Sequence, residues 1–592
     1  MFTSYNGDGI ILFFGGIIMN TKLRQTNFDG RWKLPLLPDY VMRWADLTPD
    51  NDCIVFADTG RVISYKEFDE LTDLFAMRLK KMGIGKGDIV VTQLLGVPEF
   101  YMLVYGCLKI GAIISPIDVK EQSHEVVRDL DKIKAKAFFC YGKTSIRDFT
   151  EVVETVKKEC SYVEHIVQWI PGGSGGDFVA GTENFESLFG DAALSEIKGD
   201  TSLAAQLLAD YEKLQPRDPA LIIFTTGTTG DPKPALMSHL SIMTNNAVFS
   251  RGVGLYGCDY RFLNIMPTSH VAGTAQGPMT AWFCGGAIVT LSVFEPVKSL
   301  EAVKKYRANF YGGVPTMFRM IWALPNYSDY DLSNLRYALY GGSAVDTAFL
   351  KEMAKMAPTF GTALGMTETS GYFTCTPRGI SVEEMAGQVG QFYPELAKVT
   401  IRKPMNEDGT AGEELPENEP GEICVDGDVV FLGYYNNPEA TAKTISKEGI
   451  LYTGDMGYLK DMGTYRALVF SGRRKFVIKP KGYLVFPDEV TDFLTKHPKI
   501  NQAQVVGVPH TMFVDGVFAF VQPKPGESLT AEEVMEYCKG IASYKRPIHV
   551  EFWPVDQQFP MNKTGKVNSM ELISMAEKAV EEIRKNGGWD AQ

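Results

Sequence analysis

The stretch at 221–235 reads Leu-Ile-Ile-Phe-Thr-Thr-Gly-Thr-Thr-Gly-Asp-Pro-Lys-Pro-Ala, and it narrows what this chain can be. Leu221 to Phe224 form an apolar run suited to a buried strand. The run opens into Thr225, Thr226, Gly227, Thr228, Thr229 and Gly230, and closes on Lys233. Glycine lets backbone N–H groups approach an anion closely, threonine adds O–H donors, and lysine adds a mobile positive charge. That combination suits a triphosphate. It is not a Walker loop, because no Gly-Lys-Ser/Thr opens a helix at the required spacing. A plain glycine-rich turn between two strands is the competing reading. Four threonines, two glycines and Asp-Pro-Lys in one unbroken order weigh against it.

A chain of 592 residues is too long for one hydrophobic core, and several domain-sized units are expected. Apolar residues make up 45% and charged residues 22%, the balance of an ordinary globular protein. The net charge of −13 argues against a nucleic-acid binder, which would present a basic face. An anionic substrate must therefore be met by local positive charge. Nine dispersed cysteines, with no Cys-x-x-Cys, read as reduced thiols of a cytoplasmic protein, and seven histidines show no metal-ligand spacing. The apolar run at 10–18 is too short to span a bilayer and lacks the basic flank of a signal peptide. Stable membrane insertion is not expected. Residues 1–18 read as a flexible extension or an upstream start chosen in error.

Strand-like and helix-like stretches alternate along the chain, the pattern of an α/β fold. A helical pattern through Leu71, Leu74, Phe75, Met77 and Leu79 stops at Gly83. A strand is expected at 89–95, a helix at 99–109 ending at Gly111, and a strand at 112–117. Pro171-Gly172-Gly173-Ser174-Gly175-Gly176 reads as a surface loop, and 406–421 as an exposed connection. Thr530-Ala531-Glu532-Glu533 is a capping box opening a helix with Val534, Cys538 and Ile541 on one face. No role is assigned to 177–215.

The 221–235 stretch resembles the phosphate loop of the adenylate-forming superfamily: acyl-CoA synthetases, peptide-synthetase adenylation domains and firefly-type luciferases. Thr226 stands where serine is usual, and Pro234 where a glycine usually follows the lysine. Further motifs follow in the family's order, over roughly 36–575. His270, in Pro267-Thr268-Ser269-His270-Val271-Ala272-Gly273, resembles the residue bordering the acyl pocket. Gly341, Gly342 and Ser343 resemble the loop against adenine and the acyl group. In Leu364-Gly365-Met366-Thr367-Glu368-Thr369, Thr367 is the expected phosphate ligand and Glu368 the Mg²⁺ ligand, since Mg²⁺ prefers hard oxygens. Gly365 and Met366 belong to the same nucleotide-binding set. Leu364 replaces the aromatic residue that often packs on adenine.

Asp455, in Tyr452-Thr453-Gly454-Asp455, suits ribose, because one carboxylate accepts from both vicinal hydroxyls. The resemblance implies that Arg473 contacts ribose or phosphate, that Lys475 is the pivot between domains, and that Lys481-Gly482 lies where the pantetheine arm of coenzyme A enters. It also implies that Lys566, in Pro560-Met561-Asn562-Lys563-Thr564-Gly565-Lys566, bridges the acid's carboxylate and the α-phosphate. Val271, Ala272, Ser343, Ala363, Gly365 and Gly371 would line the acyl pocket, and all are small.

The fold implied is a large N-terminal domain of mixed sheets and helices with a small mobile α/β C-terminal domain. The boundaries expected are 1–35 for an extension, 36–472 for the AMP-binding domain and 473–592 for the domain swinging about Lys475. The implied substrates are ATP, a carboxylic acid and coenzyme A, with Mg²⁺ as cofactor and a monomer or homodimer as the assembly. Three readings compete: an acyl-CoA ligase, an adenylating enzyme that serves a carrier-protein thiol, and a silent nucleotide sensor. Val271 stands where amino-acid-activating relatives place an Asp, which disfavours amino acids. Glu368, Asp455, Arg473 and Lys566 together disfavour the sensor. The identity of the acid and the direction of the reaction stay open.

Overall fold

The computed structural model describes residues 35–144, 147–171, 178–225, 232–343, 345–480, 485–561, 567–585 and 588–590. Two large sheets organise the N-terminal part, one of seven strands and one of eight. In the first, parallel strands such as Arg261–Asn264, Phe310–Gly313 and Tyr337–Gly341 pair side by side, and Arg61–Ser64 closes the edge antiparallel. In the second, Ile89–Gln93 lies between Ile113–Pro116 and Ala137–Tyr141, all parallel.

Helices fill the space between the sheets and cover their outer faces. One core joins both sheets to helices Leu37–Leu47, Tyr65–Lys81, Pro98–Ile110 and His239–Val253. Helix Pro98–Ile110 is buried almost all round, which accounts for its nearly uninterrupted apolar sequence. Its Lys109 is fully buried, and Nζ lies 2.6 Å from both Asp69 Oδ1 and Asp73 Oδ1. A second core packs Pro296–Lys305, Pro315–Trp322 and Thr347–Met356 on the outer face of the seven-stranded sheet. A third packs Ser123–Ile133 and Thr150–Glu159 on the eight-stranded one. Parallel sheets are expected to be covered in this way, since both faces are apolar.

The expected elements at 65–117 are present with shifts of one or two residues at their ends. The stretch without an assigned role folds into helices Phe185–Phe189, Asp191–Ile197 and Thr201–Tyr211. They bury Phe185, Phe189, Leu194, Ile197 and Leu207 in the main core, and Arg78 donates to the Ala193 carbonyl at 2.6 Å. That stretch is structural covering for helix Tyr65–Lys81.

The C-terminal part is built on three strands, Ile500–His510, Val514–Pro523 and His549–Phe552, with an apolar core on each face. The Thr530 capping box is made in both directions, and Val534 and Cys538 are buried. The α-helix it opens is shorter than the pattern suggested, ending at Tyr537 with Cys538–Gly540 wound as a 3-10 turn. All nine cysteines are free thiols. Among the described residues no helix is long and apolar enough to cross a membrane.

Candidate active site

Strands Pro219–Thr225 and Lys233–Ser238 form an antiparallel hairpin in the eight-stranded sheet. Thr225 and Lys233 are paired at the end next to the connecting segment, with Thr225 Oγ1 donating to the Lys233 carbonyl at 3.4 Å. These two strands flank the glycine-threonine run. Thr226, Gly227, Thr228, Thr229 and Gly230 lie outside the described residues. Pro234 sits inside the second strand, and its carbonyl accepts from the Tyr435 N–H at 2.8 Å. Lys132 Nζ donates to the Pro232 carbonyl at 2.7 Å and so ties the hairpin to helix Ser123–Ile133.

Gly365–Met366 and Gly371–Tyr372 form a second small hairpin around the 3-10 turn Thr367–Thr369. Thr369 Oγ1 accepts from the Met366 N–H at 3.1 Å and donates to the Gly371 carbonyl at 2.7 Å. Asn245, buried on helix His239–Val253, donates from Nδ2 to the carbonyls of Thr369 and Tyr372, at 3.2 and 2.8 Å. Gly371 has φ +134°, and a Cβ there would lie 2.4 Å from Asn245 Oδ1, so both backbone shape and space require glycine. Thr367 is left half-buried, while Glu368 is buried.

Tyr434 connects these two hairpins. Its strand, Gly433–Tyr434, pairs antiparallel with Lys233–Ser238, Tyr434 opposite Ala235. The Tyr434 hydroxyl donates to Glu368 Oε1 at 2.7 Å, and Lys233 Nζ lies 5.1 Å from the Tyr434 ring centroid. The Phe431 N–H donates to the Glu368 carbonyl at 3.0 Å. Burial, and then the charge of Glu368, push the Tyr434 phenol far above its usual range, so it stays a donor. One buried carboxylate and Lys233 are thereby both held at one aromatic side chain. Among the described residues no group of three or more His, Cys, Asp or Glu could hold a metal. A lone buried carboxylate fits Mg²⁺ as it is commonly held, by one or two carboxylates together with substrate phosphates.

An ion pair stands on the four-stranded sheet. Asp455, on Leu451–Asp461, is buried, and Arg473 pairs with it across the strands, Nε to Oδ1 2.8 Å. Glu422, also buried, accepts from the Gly454 N–H at 3.0 Å and pairs with Arg474 at 2.7 Å. Asp488, on helix Pro487–Thr495 of the C-terminal part, faces the same region. Burial, with the charges of Asp492 and Asp455, pushes its carboxyl up to about 6 against the opposing pull of Arg473.

Strand Tyr337–Gly341 ends at Gly341, Gly342 and Ser343, the last two exposed. A Cβ at Gly341 would lie 2.4 Å from Tyr372 Oη, so that glycine makes room for the Tyr372 ring. Tyr372 also packs on Phe249, centroids 5.4 Å apart. Val271 and Ala363 are buried in the main core, Ala272 is half-buried, and Ala272–Gln276 form a turn of π-helix, which is often found at functional sites. His270 Nδ1 accepts from the Ala272 N–H at 3.1 Å, which assigns the proton of the neutral ring to Nε2. Leu364 is held by its backbone, its N–H donating to Thr374 Oγ1 at 2.9 Å.

Lys475 is exposed in the 3-10 turn Arg474–Phe476, with Nζ 5.8 Å from the Phe476 ring centroid. Lys481, Gly482 and Lys566 lie outside the described residues. Sequence reasoning missed Tyr434, Tyr372, Asn245 and Glu422 as supporting residues.

Residues 41–435 match the family of AMP-binding enzymes, and 489–566 match the AMP-binding enzyme C-terminal domain. The protein YngI of Bacillus subtilis (strain 168) is 30% identical over 544 residues, 89% of this chain and 94% of that protein. The human medium-chain acyl-CoA ligase ACSF2, mitochondrial, is 27% identical over 554 residues, 90% of this chain and 86% of that one. The crystal structure of ATP-bound MatB from Rhodopseudomonas palustris superposes with a TM-score of 0.74 at 23% identity, covering 91% of this chain and 99% of that chain. The chain therefore belongs to the AMP-binding enzymes of the adenylate-forming superfamily, the group that includes AMP-forming acyl-CoA synthetases.

Proposed function

We propose that this protein activates a carboxylic acid with ATP and passes the acyl group to coenzyme A, releasing AMP and pyrophosphate. The observation that carries this reading is the buried Glu368 carboxylate linked through Tyr434 to Lys233 at the end of the phosphate loop. A carboxylate and a cation held at one buried aromatic side chain suit a polyphosphate with its metal. Glu368 would hold Mg²⁺ and Thr367 would bind phosphate, and the bound ion would offset phosphate charge.

In the first step a carboxylate oxygen attacks the α-phosphorus, the bond from that phosphorus to the bridging oxygen breaks, and pyrophosphate leaves. Asp455 and Arg473 hold the ribose, while Lys566 offsets the charge of two converging anions. In the second step the C-terminal domain swings about Lys475 and withdraws Lys566. The coenzyme A thiolate, entering past Lys481 and Gly482, attacks the acyl carbonyl, and the bond from that carbon to the AMP oxygen breaks. The same steps in reverse would make ATP.

We assign a medium-sized acyl group, aliphatic or ring-bearing, in preference to acetate. The small residues around 271, 363 and 371 leave width, and the Tyr372 ring against Gly341 supplies an aromatic wall. The name of the human relative, a medium-chain acyl-CoA ligase, supports that size. An amino acid fits poorly, because its ammonium would meet the buried Val271 unpaired. The nine free thiols support a reducing compartment such as the cytoplasm. ATP–pyrophosphate exchange over a panel of acids, with and without coenzyme A, tests the reading. Exchange driven by amino acids, or by no acid, would contradict it.

A further inference from the structure

The Tyr434 side chain is the most consequential group that the proposed chemistry does not use. It is buried at 8% exposure, and its position is set by three independent restraints. Strand pairing with Lys233–Ser238 fixes its register, and a slip of one residue would turn the ring to the other face of the sheet. Its N–H donates to Thr441 Oγ1 at 2.9 Å, and its ring packs edge-on against Phe431 with centroids 5.0 Å apart. Held so, its hydroxyl meets Glu368 Oε1 at 2.7 Å. Among the described residues Tyr434 is the one side chain hydrogen-bonded to that carboxylate.

We propose that Tyr434 is a positioning residue for the metal-binding carboxylate. Its hydroxyl occupies one oxygen of Glu368, fixes the rotation of the carboxylate, and leaves the second oxygen directed to a divalent cation carried by the nucleotide. The ring meanwhile keeps Lys233 within cation–π range, so the same side chain serves the carboxylate and the lysine. Partners that orient a ligating carboxylate typically govern metal affinity by about 10–100-fold. This inference rests on the proposal that Glu368 binds the metal of Mg·ATP.

Tyr434→Phe separates the two functions, because it keeps the ring over Lys233 and deletes only the hydroxyl. Mn²⁺ binding to the protein in the presence of a non-hydrolysable ATP analogue, read by electron paramagnetic resonance, needs no carboxylic acid. It therefore stands even if acid activation fails. The expected result is Mn²⁺ binding weakened about tenfold or more. The Mg²⁺ concentration for half-maximal pyrophosphate exchange should rise by the same factor, while the KM of the acid is unchanged. In a Glu368→Gln background, Tyr434→Phe should have no further effect on Mn²⁺ binding, since the oriented carboxylate is already gone. Unchanged Mn²⁺ binding in Tyr434→Phe would overturn the proposal, as would an effect that adds in full to that of Glu368→Gln. Thermal melting of both variants without nucleotide identifies a variant that fails to fold. In that case Tyr434→Trp, which retains a donor, is expected to recover metal binding, and its failure to do so also counts against the role.

Discussion

Asp455 and Arg473 face each other across two antiparallel strands, Nε to Oδ1 2.8 Å, with the carboxylate buried and the guanidinium half exposed. A carboxylate can accept several hydrogen bonds, so one paired with Arg473 can also accept from the ribose hydroxyls of the proposed reaction. Asp455→Asn keeps the shape and removes the charge. Losing hydrogen bonds to a charged acceptor costs roughly 1.5–3 kcal/mol, so the KM for ATP should rise about tenfold or more with the KM of the acid unchanged. Steady-state kinetics with each substrate varied in turn check this. An unchanged ATP dependence would make the pair purely structural.

Lys566→Ala should damage adenylation far more than thioester formation. Removing a group that stabilises developing charge costs about 10²–10³ in rate. Thioester formation from supplied acyl-adenylate should survive, since the lysine is withdrawn by then. Equal loss in the two half-reactions would remove the proposed role.

Lys475→Pro should do the opposite. Proline fixes φ near −65° and removes a backbone donor, which would lock the turn Arg474–Phe476 in one conformation. Acyl-AMP should accumulate while coenzyme A is consumed slowly, as read by quenched single turnovers. Normal thioester formation would place the pivot elsewhere.

Much of the fold was readable because its signals are local. The turn at Gly83, the helix before Gly111 and the Thr530 capping box are each written within a few residues, and each is present. The supporting residues of the site are not local. Tyr434 and Tyr435 are adjacent, and which of them reaches Glu368 depends on pairing with a strand some 200 residues earlier. Tyr372 follows a run of small residues, so the approach of its ring to Gly341 depends on the register of a two-residue hairpin. The 177–215 helices bury their apolar faces on a helix more than a hundred residues before them, beyond the reach of any periodicity within the stretch.

Tyr372→Ala should widen the acyl pocket. Activity should shift toward longer or bulkier acids by about tenfold in relative kcat/KM, since the methylenes newly accommodated are worth about 1–3 kcal/mol. Competition among acids of graded length, with products quantified by mass, measures the shift. An unchanged ranking would place Tyr372 outside the pocket.

Asp488 gives a pH dependence of stated sign. Its carboxyl, raised to about 6 in the folded protein, binds more protons folded than unfolded. The stability it lends is therefore full below the ordinary carboxylate range and is lost as pH rises through about 6. Between pH 4 and 7 the wild type should lose about 1 kcal/mol relative to Asp488→Asn, after allowance for solvent screening. Denaturant melts of both proteins across that range check it. A constant difference would show that Asp488 titrates normally.

The most direct measurement is a quenched single turnover of the full chain with Mg·ATP, a six- to ten-carbon or ring acid, and coenzyme A, with acyl-AMP, acyl-CoA, AMP and pyrophosphate quantified over time. Acyl-AMP and pyrophosphate should rise first and together, also without coenzyme A. Acyl-CoA and AMP should then appear at the expense of acyl-AMP. Release of ADP and phosphate, or acyl-CoA forming with no acyl-AMP before it, would contradict the proposed chemistry.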